Sequence, residues 1–189
     1  MDNNSNATDD GQLIAEARSD PAAFARLYQR HYNAVFRYCV HRLFERHLAE
    51  DVTSAVFLKM IENFGRFRGS EQQFRNWLYK IATNAVNSHL RKAARRNSLF
   101  KHTRRQVSSG AADCESSAEP STEKLVLLKR AILELRPRYQ TIIALRFFEN
   151  LKLTEIAEVL GSSDGTIRSQ LARALGKLRK KLGAFQQEV

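Results

Sequence analysis

Apolar residues in this chain recur three and four positions apart, the period of one face of an α-helix. From Asp20 onward they fall at Phe24, Leu27, Tyr28, Val35, Phe36, Cys39, Val40 and Leu43, with His31 on the same face. Asp20-Pro21 marks the start, because an Asp side chain accepts from free N–H groups of the first turn and Pro suits the first helical position. A second helix is expected from about Leu48 to Asn63, turning Val52, Val56, Phe57 and Met60 inward. Gly65 and Gly69 bracket the loop GRFRG, and Ser70 with Gln73 has the spacing of a capping box. A third helix follows, with Phe74, Trp77, Leu78, Ile81, Ala85 and Leu90 along one side.

That helix runs into HLRKAARRNSLFKHTRRQ, where Arg91, Lys92, Arg95, Arg96, Lys101, Arg104 and Arg105 gather without an acidic residue. By itself such a run is as readily a solvated face as a binding surface. From Val107 to Glu123, Ser, Ala, Gly, Glu and Pro replace the large apolar residues, which is the composition of a flexible linker. Helical periodicity returns at about Thr122 with Leu125, Val126, Leu128, Ile132 and Leu135, and closes at Arg136-Pro137. Pro137 opens a further helix carrying Tyr139, Ile142, Ile143, Leu145, Arg146 and Phe147. No strand-like alternation appears, so the expected class is all-α: two small helical domains joined by a flexible linker. The expected boundaries are a polar N-terminal segment over 1–19, a first domain over 20–96, the linker over 97–121 and a second domain over 122–185.

The end of the second block reads as two helices about a tight turn. In TEIAEVLG, Ile156, Ala157 and Leu160 make one side apolar, and Gly161 suits the left-handed conformation that ends a helix. Ser162 and Ser163 offer a cap for the next helix, which starts near Asp164 or Gly165. This is the helix-turn-helix arrangement, with the small Ala157 where the two helices must pack closely. On the second helix Ile167, Leu171, Ala174, Leu175, Leu178 and Leu182 share one side. Ser169, Ala172, Arg173, Gly176 and Lys180 share the other, flanked by Arg168, Lys177 and Arg179. A face small in the centre and cationic at the flanks lets a helix enter a major groove while its flanks reach phosphates.

Charge agrees with that reading. The 189 residues hold 31 Lys and Arg against 20 Asp and Glu, a formal charge of +11, which favours a polyanionic partner, since each cation beside a phosphate releases condensed counterions. Cys39 and Cys114 stand far apart with no metal-ligand spacing, so no metal site is expected and a reducing cytoplasm is the expected compartment. The N-terminal stretch is polar and acidic, and no apolar run is long enough to span a bilayer, so no membrane contact is expected. His31, His41, His47, His89 and His102 have no catalytic partner spacing and no phosphate-binding Gly loop occurs, so neither catalytic residues nor a cofactor are expected. His31 reads as a satisfied core histidine and His47 as a turn residue.

LRPRYQTIIALRFFENLKLTEIAEVLGSSDGTIRSQLARALGKLRKKL resembles region 4, the −35-binding domain of bacterial sigma-70-family factors. FARLYQRHYNAVFRYC, then AEDVTSAVFLKMIENFGRFRGSEQQFRNWLYKIATNAVNSHLRKAARR, resembles region 2 of the same family. The resemblance covers Asp20 to Leu182. With a short linker and no room for region 1.1 or a folded region 3, it is to the compact extracytoplasmic-function branch.

The resemblance implies a protein that binds core RNA polymerase, reads the −10 and −35 promoter elements and promotes melting, without being an enzyme itself. It implies that Asp51, Ser54, Ala55 and Leu58 face the β′ clamp helices, with region 4 on the β flap. The family's usual Gln-Glu pair is replaced by Ser54-Ala55 here, so this contact has lost polar groups. For the −10 element it implies a loop from Gly65 to Gln73, with Phe67, Arg68 and Ser70, that captures a flipped base, and a helix presenting Trp77, Lys80, Asn84 and Arg91. Trp77 reads equally as core and as a stacking platform. Thr83 stands where Arg is common, and Ser88 where Asp is common. The implied −35 contacts are Arg168, Ser169, Ala172 and Arg173, with Lys177 and Lys180 on phosphates. Lys152 occupies the usual place of a capping Ser, leaving Thr154 as the expected cap. An anti-sigma factor is an implied partner. The rival reading is an autonomous helix-turn-helix regulator that dimerises without polymerase; a first domain lacking any dimerisation pattern weighs against it.

Overall fold

Oδ1 of Asp20 accepts the Ala22 N–H at 2.8 Å, and helix α2 runs Pro21–Leu43 from that cap. The structure, a computed structural model, describes the backbone of residues 7–103 and 120–185, and side chains from 11 to 96 and from 124 to 184. Among these residues all regular structure is helical: α1 (Ala7–Glu16), α2, α3 (Arg46–Phe64), α4 (Glu71–Thr103), α5 (Pro120–Leu133), α6 (Pro137–Ile143), α7 (Leu153–Leu160) and α8 (Asp164–Phe185). A π-helical turn over Ala144–Phe148 extends α6. None of the described helices is long and apolar enough to cross a membrane.

Helix α1 lies inside the segment expected to be merely polar. Its Leu13 and Ile14, with Ala17 just beyond, are buried against the first bundle, an apolar set too short to stand out beside the Asn- and Asp-rich residues before it. Helix α3 begins two residues before Leu48, so His47 sits exposed in its first turn, 3.6 Å from Glu50, and is not a turn residue. The Arg46–Glu50 pair, 3.1 Å apart one helical turn on, supports that earlier start. Helix α4 continues to Thr103 and helix α5 begins at Pro120, so 97–103 and 120–121 of the segment expected as linker are helical. The rest of that linker, with Arg104, Arg105 and Cys114, lies outside the described residues, as do the side chains of Lys101 and His102.

The first bundle buries Leu27, Val35, Tyr38, Cys39, Val52, Val56, Phe57, Met60, Phe74, Leu78 and Val86. The Cys39 thiol is pushed up to about 11 by burial. His31 sits edge-on to Phe74 at 5.2 Å, and burial, with Arg30 and Arg75 nearby, lowers it to about 4, so it is neutral at pH 7. The second bundle packs Ile142, Leu145, Leu151, Ile156 and Val159 against Ile167 of α8. These two apolar sets merge into one core, so α2 and α4 of the first domain pack directly on α6, the π-turn and α7 of the second.

Candidate nucleic-acid interface

The loop between α3 and α4 is built by short local bonds. Ser70 N–H donates to Gln73 Oε1 at 2.8 Å and Gln73 N–H to Ser70 Oγ at 3.4 Å, the expected reciprocal cap. Arg68 folds back, donating to the carbonyls of Gly65 (2.7 Å) and Phe67 (2.8 Å), while Arg18 donates to the Phe67 carbonyl from the end of α1 at 3.0 Å. A Cβ on Gly69 would come within 2.8 Å of Gln73 Oε1 and 2.9 Å of Phe67 Cζ, so only Gly lets the loop close this tightly. The loop thereby aims Phe67 at α4, edge-on to Phe74 at 5.4 Å and stacked on Trp77 at 5.1 Å. Trp77 is half-buried between these rings and the helix, so core packing and ring stacking are both features of the one side chain.

Beyond the loop, Lys80, Asn84 and Arg91 are exposed along one side of α4. They line a cleft of about 600 Å³ whose opposite wall is Pro137, Arg138 and Thr141 of α6 and Val159, Leu160 and Gly161 at the end of α7. Among the described residues, no acidic side chain lines it.

The adjacent stripe of α4 is bonded to the second domain. Tyr79 donates to Glu149 Oε2 at 2.6 Å, Asn76 to Glu158 Oε2 at 2.6 Å and Arg75 to Glu155 Oε1 at 3.0 Å. Arg42, fully buried, donates to Gln140 at 2.8 Å and to Asn87 at 3.2 Å, while His41 stacks on Phe148 at 4.0 Å. Burial raises the Glu149 carboxyl above its ordinary range despite the Tyr79 hydroxyl, and drives the Tyr79 phenol upward. Thr83, which stands where the family commonly has Arg, is buried and bonded to Tyr38 at 2.8 Å, so it serves the core.

In the helix-turn-helix, Gly161 takes φ +58°, ending α7 as its place predicts. Thr154 does not cap α7; Glu155 does, by reaching back to the Lys152 N–H at 2.6 Å while its other oxygen holds Arg75. Ser163 Oγ accepts the Thr166 N–H at 3.3 Å and caps α8. Arg138 braces the turn through Gln170 (2.7 Å) and Ser162 (2.6 Å). Ile167 and Ala174 are buried, and Arg168, Ser169, Ala172, Arg173, Lys177 and Lys180 are all exposed on the outer side. Arg168 pairs with Asp164 at 3.1 Å, and Ser169 Oγ donates to the Thr166 carbonyl.

On the far side of the first bundle Asp51, Ser54, Ala55 and Leu58 are exposed on α3. Ile61, one turn beyond Leu58, joins them with 53% of its surface exposed, making an apolar pair that the periodicity did not single out. The bonded residues Arg42, Gln140, Glu149 and Glu158 were also missed. The available signal was a polar residue at an apolar-phase position, as Arg42 stands after Tyr38 and Cys39.

Residues 27–96 match the family model described as Sigma-70 region 2, and residues 125–178 the one described as Sigma-70, region 4; together they take in more than half of the chain. The chain is 32% identical over 179 residues to the ECF RNA polymerase sigma factor BldN of Streptomyces coelicolor, an alignment covering 90% of this chain and 65% of BldN. The chain thus spans slightly less than two thirds of that relative. It is 30% identical over 167 residues to the RNA polymerase sigma factor CarQ of Myxococcus xanthus, covering 88% of this chain and 93% of CarQ. The fold is similar to that of the sigma factor RpoE of Bartonella quintana, solved in complex with the anti-sigma factor NepR, with TM-score 0.64, 21% identity and coverage of 85% of this chain and 96% of that one.

Proposed function

The chain belongs to the sigma-70 family, in its extracytoplasmic-function branch, and from that premise we propose that it binds core RNA polymerase, recognises the −10 and −35 promoter elements and promotes melting of the first. The observation that carries this is the presence in one chain of two different DNA-reading shapes. One is a capped helix-turn-helix whose outer helix exposes Arg168, Ser169, Ala172, Arg173, Lys177 and Lys180. The other is the tight loop and helix carrying Phe67, Arg68, Ser70, Trp77, Lys80, Asn84 and Arg91. A groove helix reads duplex, whereas an aromatic pair beside cations suits an unstacked base.

In this reading the domain boundaries are 20–96 and 122–185. Arg168 and Arg173 reach base edges or phosphates with Ser169, the small Ala172 lets α8 approach the groove floor, and Lys177 and Lys180 neutralise phosphates. Phe67 and Trp77 form one wall for the flipped base, and Asn84 offers a paired donor and acceptor to a base edge. Asp51, Ser54, Ala55 and Leu58 dock on the β′ clamp helices and the second domain on the β flap. The polymerase performs the chemistry; the chain has no catalytic role, needs no cofactor or metal, and works in the cytoplasm without touching a membrane. An anti-sigma factor, the class of partner seen with the solved relative, restrains it.

The test is transcription in vitro by core polymerase with this chain on a library of genomic fragments. Discrete start sites that depend on the chain are expected. Binding and initiation equally frequent on random DNA would refute the proposal.

A further inference from the structure

The backbone of Phe67 is held at both ends. Its N–H donates to the Phe64 carbonyl at 3.0 Å, where α3 ends, and its own carbonyl receives two guanidinium groups, Arg68 at 2.8 Å and Arg18 at 3.0 Å. Arg68 also donates to the Gly65 carbonyl, so its bonds are internal to the loop and move with it. Arg18 reaches in from 49 positions away and ties the loop to a different helix.

That helix, α1, is a fixed support. Leu13, Ile14 and Ala17 are buried in the first bundle, and Glu16 accepts from Gln12 at 3.0 Å and from Arg26 of α2 at 3.4 Å. The chain then turns at once: the Ala17 N–H donates to the Leu13 carbonyl and the Asp20 N–H to the Glu16 carbonyl, before Asp20 caps α2. Arg18 therefore stands on backbone pinned between two helices. A bond from a guanidinium is charge-assisted, and the planar fork loses little freedom in making it. Because Arg18 is exposed, its loss should move overall stability little. What it fixes is where the Phe67 carbonyl points, and through that the direction in which the ring leaves the chain toward Trp77, 5.1 Å away.

We propose that α1 is part of the −10 reading device and that Arg18 is a positioning residue, holding the Phe67 carbonyl so that the ring stays against Trp77. This rests on the role given to Phe67 and Trp77 under Proposed function. The residues matching region 2 begin at 27, so the support comes from the segment before them. Arg18 acts through Phe67 and not by its own contact with DNA.

Arg18→Ala, Arg18→Lys, Phe67→Ala and the Arg18→Ala/Phe67→Ala pair test this in the full-length protein. Phe67→Ala removes the ring and keeps the carbonyl. The chain has one tryptophan, Trp77, so acrylamide quenching of its fluorescence in the free protein reports whether the ring covers it. Phe67→Ala should raise quenching, Arg18→Ala should reproduce at least about half of that rise, and Arg18→Lys, which can still donate, should fall between Arg18→Ala and wild type. The melting temperature of Arg18→Ala should stay within about 2 °C of wild type. In permanganate footprinting of holoenzyme, Arg18→Ala should lower open-complex formation at least about threefold, and change it less than about 1.5-fold when Phe67 is already Ala, since the two residues act as one unit.

Wild-type quenching in Arg18→Ala overturns the proposal, and so does a quenching rise matched by a general fall in melting temperature. An equal loss of opening in both backgrounds also overturns it, because that is the result of a direct phosphate contact. If Phe67→Ala opens promoters as wild type does, the base-capturing role assigned to Phe67 fails, and quenching alone decides whether Arg18 holds the loop.

Discussion

The loop that aims Phe67 contains two glycines for which the same substitution should have opposite consequences. Gly65 has φ −59° and ψ −25°, a conformation any residue adopts, and a Cβ there meets nothing within 4 Å. Gly65→Ala should therefore stabilise the chain by about 0.4–1 kcal/mol, chiefly by restricting the unfolded state. At Gly69 a Cβ meets Gln73 Oε1 at 2.8 Å and Phe67 Cζ at 2.9 Å. The Gln73 side chain can swing away, at the cost of its bond to the Ser70 N–H, and loss of such a cap costs about 0.5–2 kcal/mol. The Phe67 ring must then shift from Trp77, giving up a ring pair worth about 0.5–1.5 kcal/mol. Gly69→Ala should thus destabilise by about 1–3 kcal/mol, lowering the melting temperature by about 2–12 °C for a chain of this size. Thermal unfolding of both variants beside Gln73→Ala separates the contributions, because Gln73→Ala loses the cap and leaves Phe67 in place. In permanganate footprinting of holoenzyme on a promoter, Gly69→Ala should reduce open-complex formation more than Gln73→Ala does. If the two glycine variants shift stability in the same direction, or Gly69→Ala opens promoters as wild type does, the tight loop is not what positions Phe67.

Ser163→Ala removes the acceptor for the Thr166 N–H and should cost about 1 kcal/mol, read as a fall in urea midpoint without a change in slope. Leu58→Glu alters a side chain 58% exposed on α3; stability should move by no more than about 0.5 kcal/mol, while capture of core polymerase weakens at least tenfold in a competition assay. Lys180→Ala should weaken holoenzyme binding to all promoters alike and reduce the salt slope by about 1, seen in filter binding across salt concentrations. His31, held at about 4 by burial against an ordinary 6.5, binds fewer protons folded than unfolded. Its contribution is therefore complete above pH 6.5 and lost as pH falls toward 4, by up to about 3 kcal/mol. Urea unfolding at pH 7.5 and 4.5 should show that loss in wild type and not in His31→Gln.

What could be read from the amino acids alone was whatever depends on near neighbours along the chain. Asp20 before Pro21, Ser70 with Gln73, Ser163 and Gly161 all act over four residues or fewer, so their caps and turns follow from local chemistry. The outward set on α8 follows from the helical period, which sorts Arg168 and Arg173 away from Ile167 and Ala174 before any partner is considered. Thr154 failed as a cap because α7 starts one residue before it, with Lys152 at the cap position and its N–H received by Glu155, which Arg75, eighty positions away, also holds. Leu13 and Ile14 were hidden because one turn of apolar residues carries too little period to announce a helix. Arg42 with Gln140, Tyr79 with Glu149 and Asn76 with Glu158 lie 98, 70 and 82 positions apart. No local rule couples such residues, since each alone is a polar side chain that water would satisfy equally well. The helices and the outward-facing residue sets of α4 and α8 were thus determined by local periodicity and capping. The tertiary structure decided how the two domains pack on each other, because burial and pairing across that interface exist only once the chain is folded.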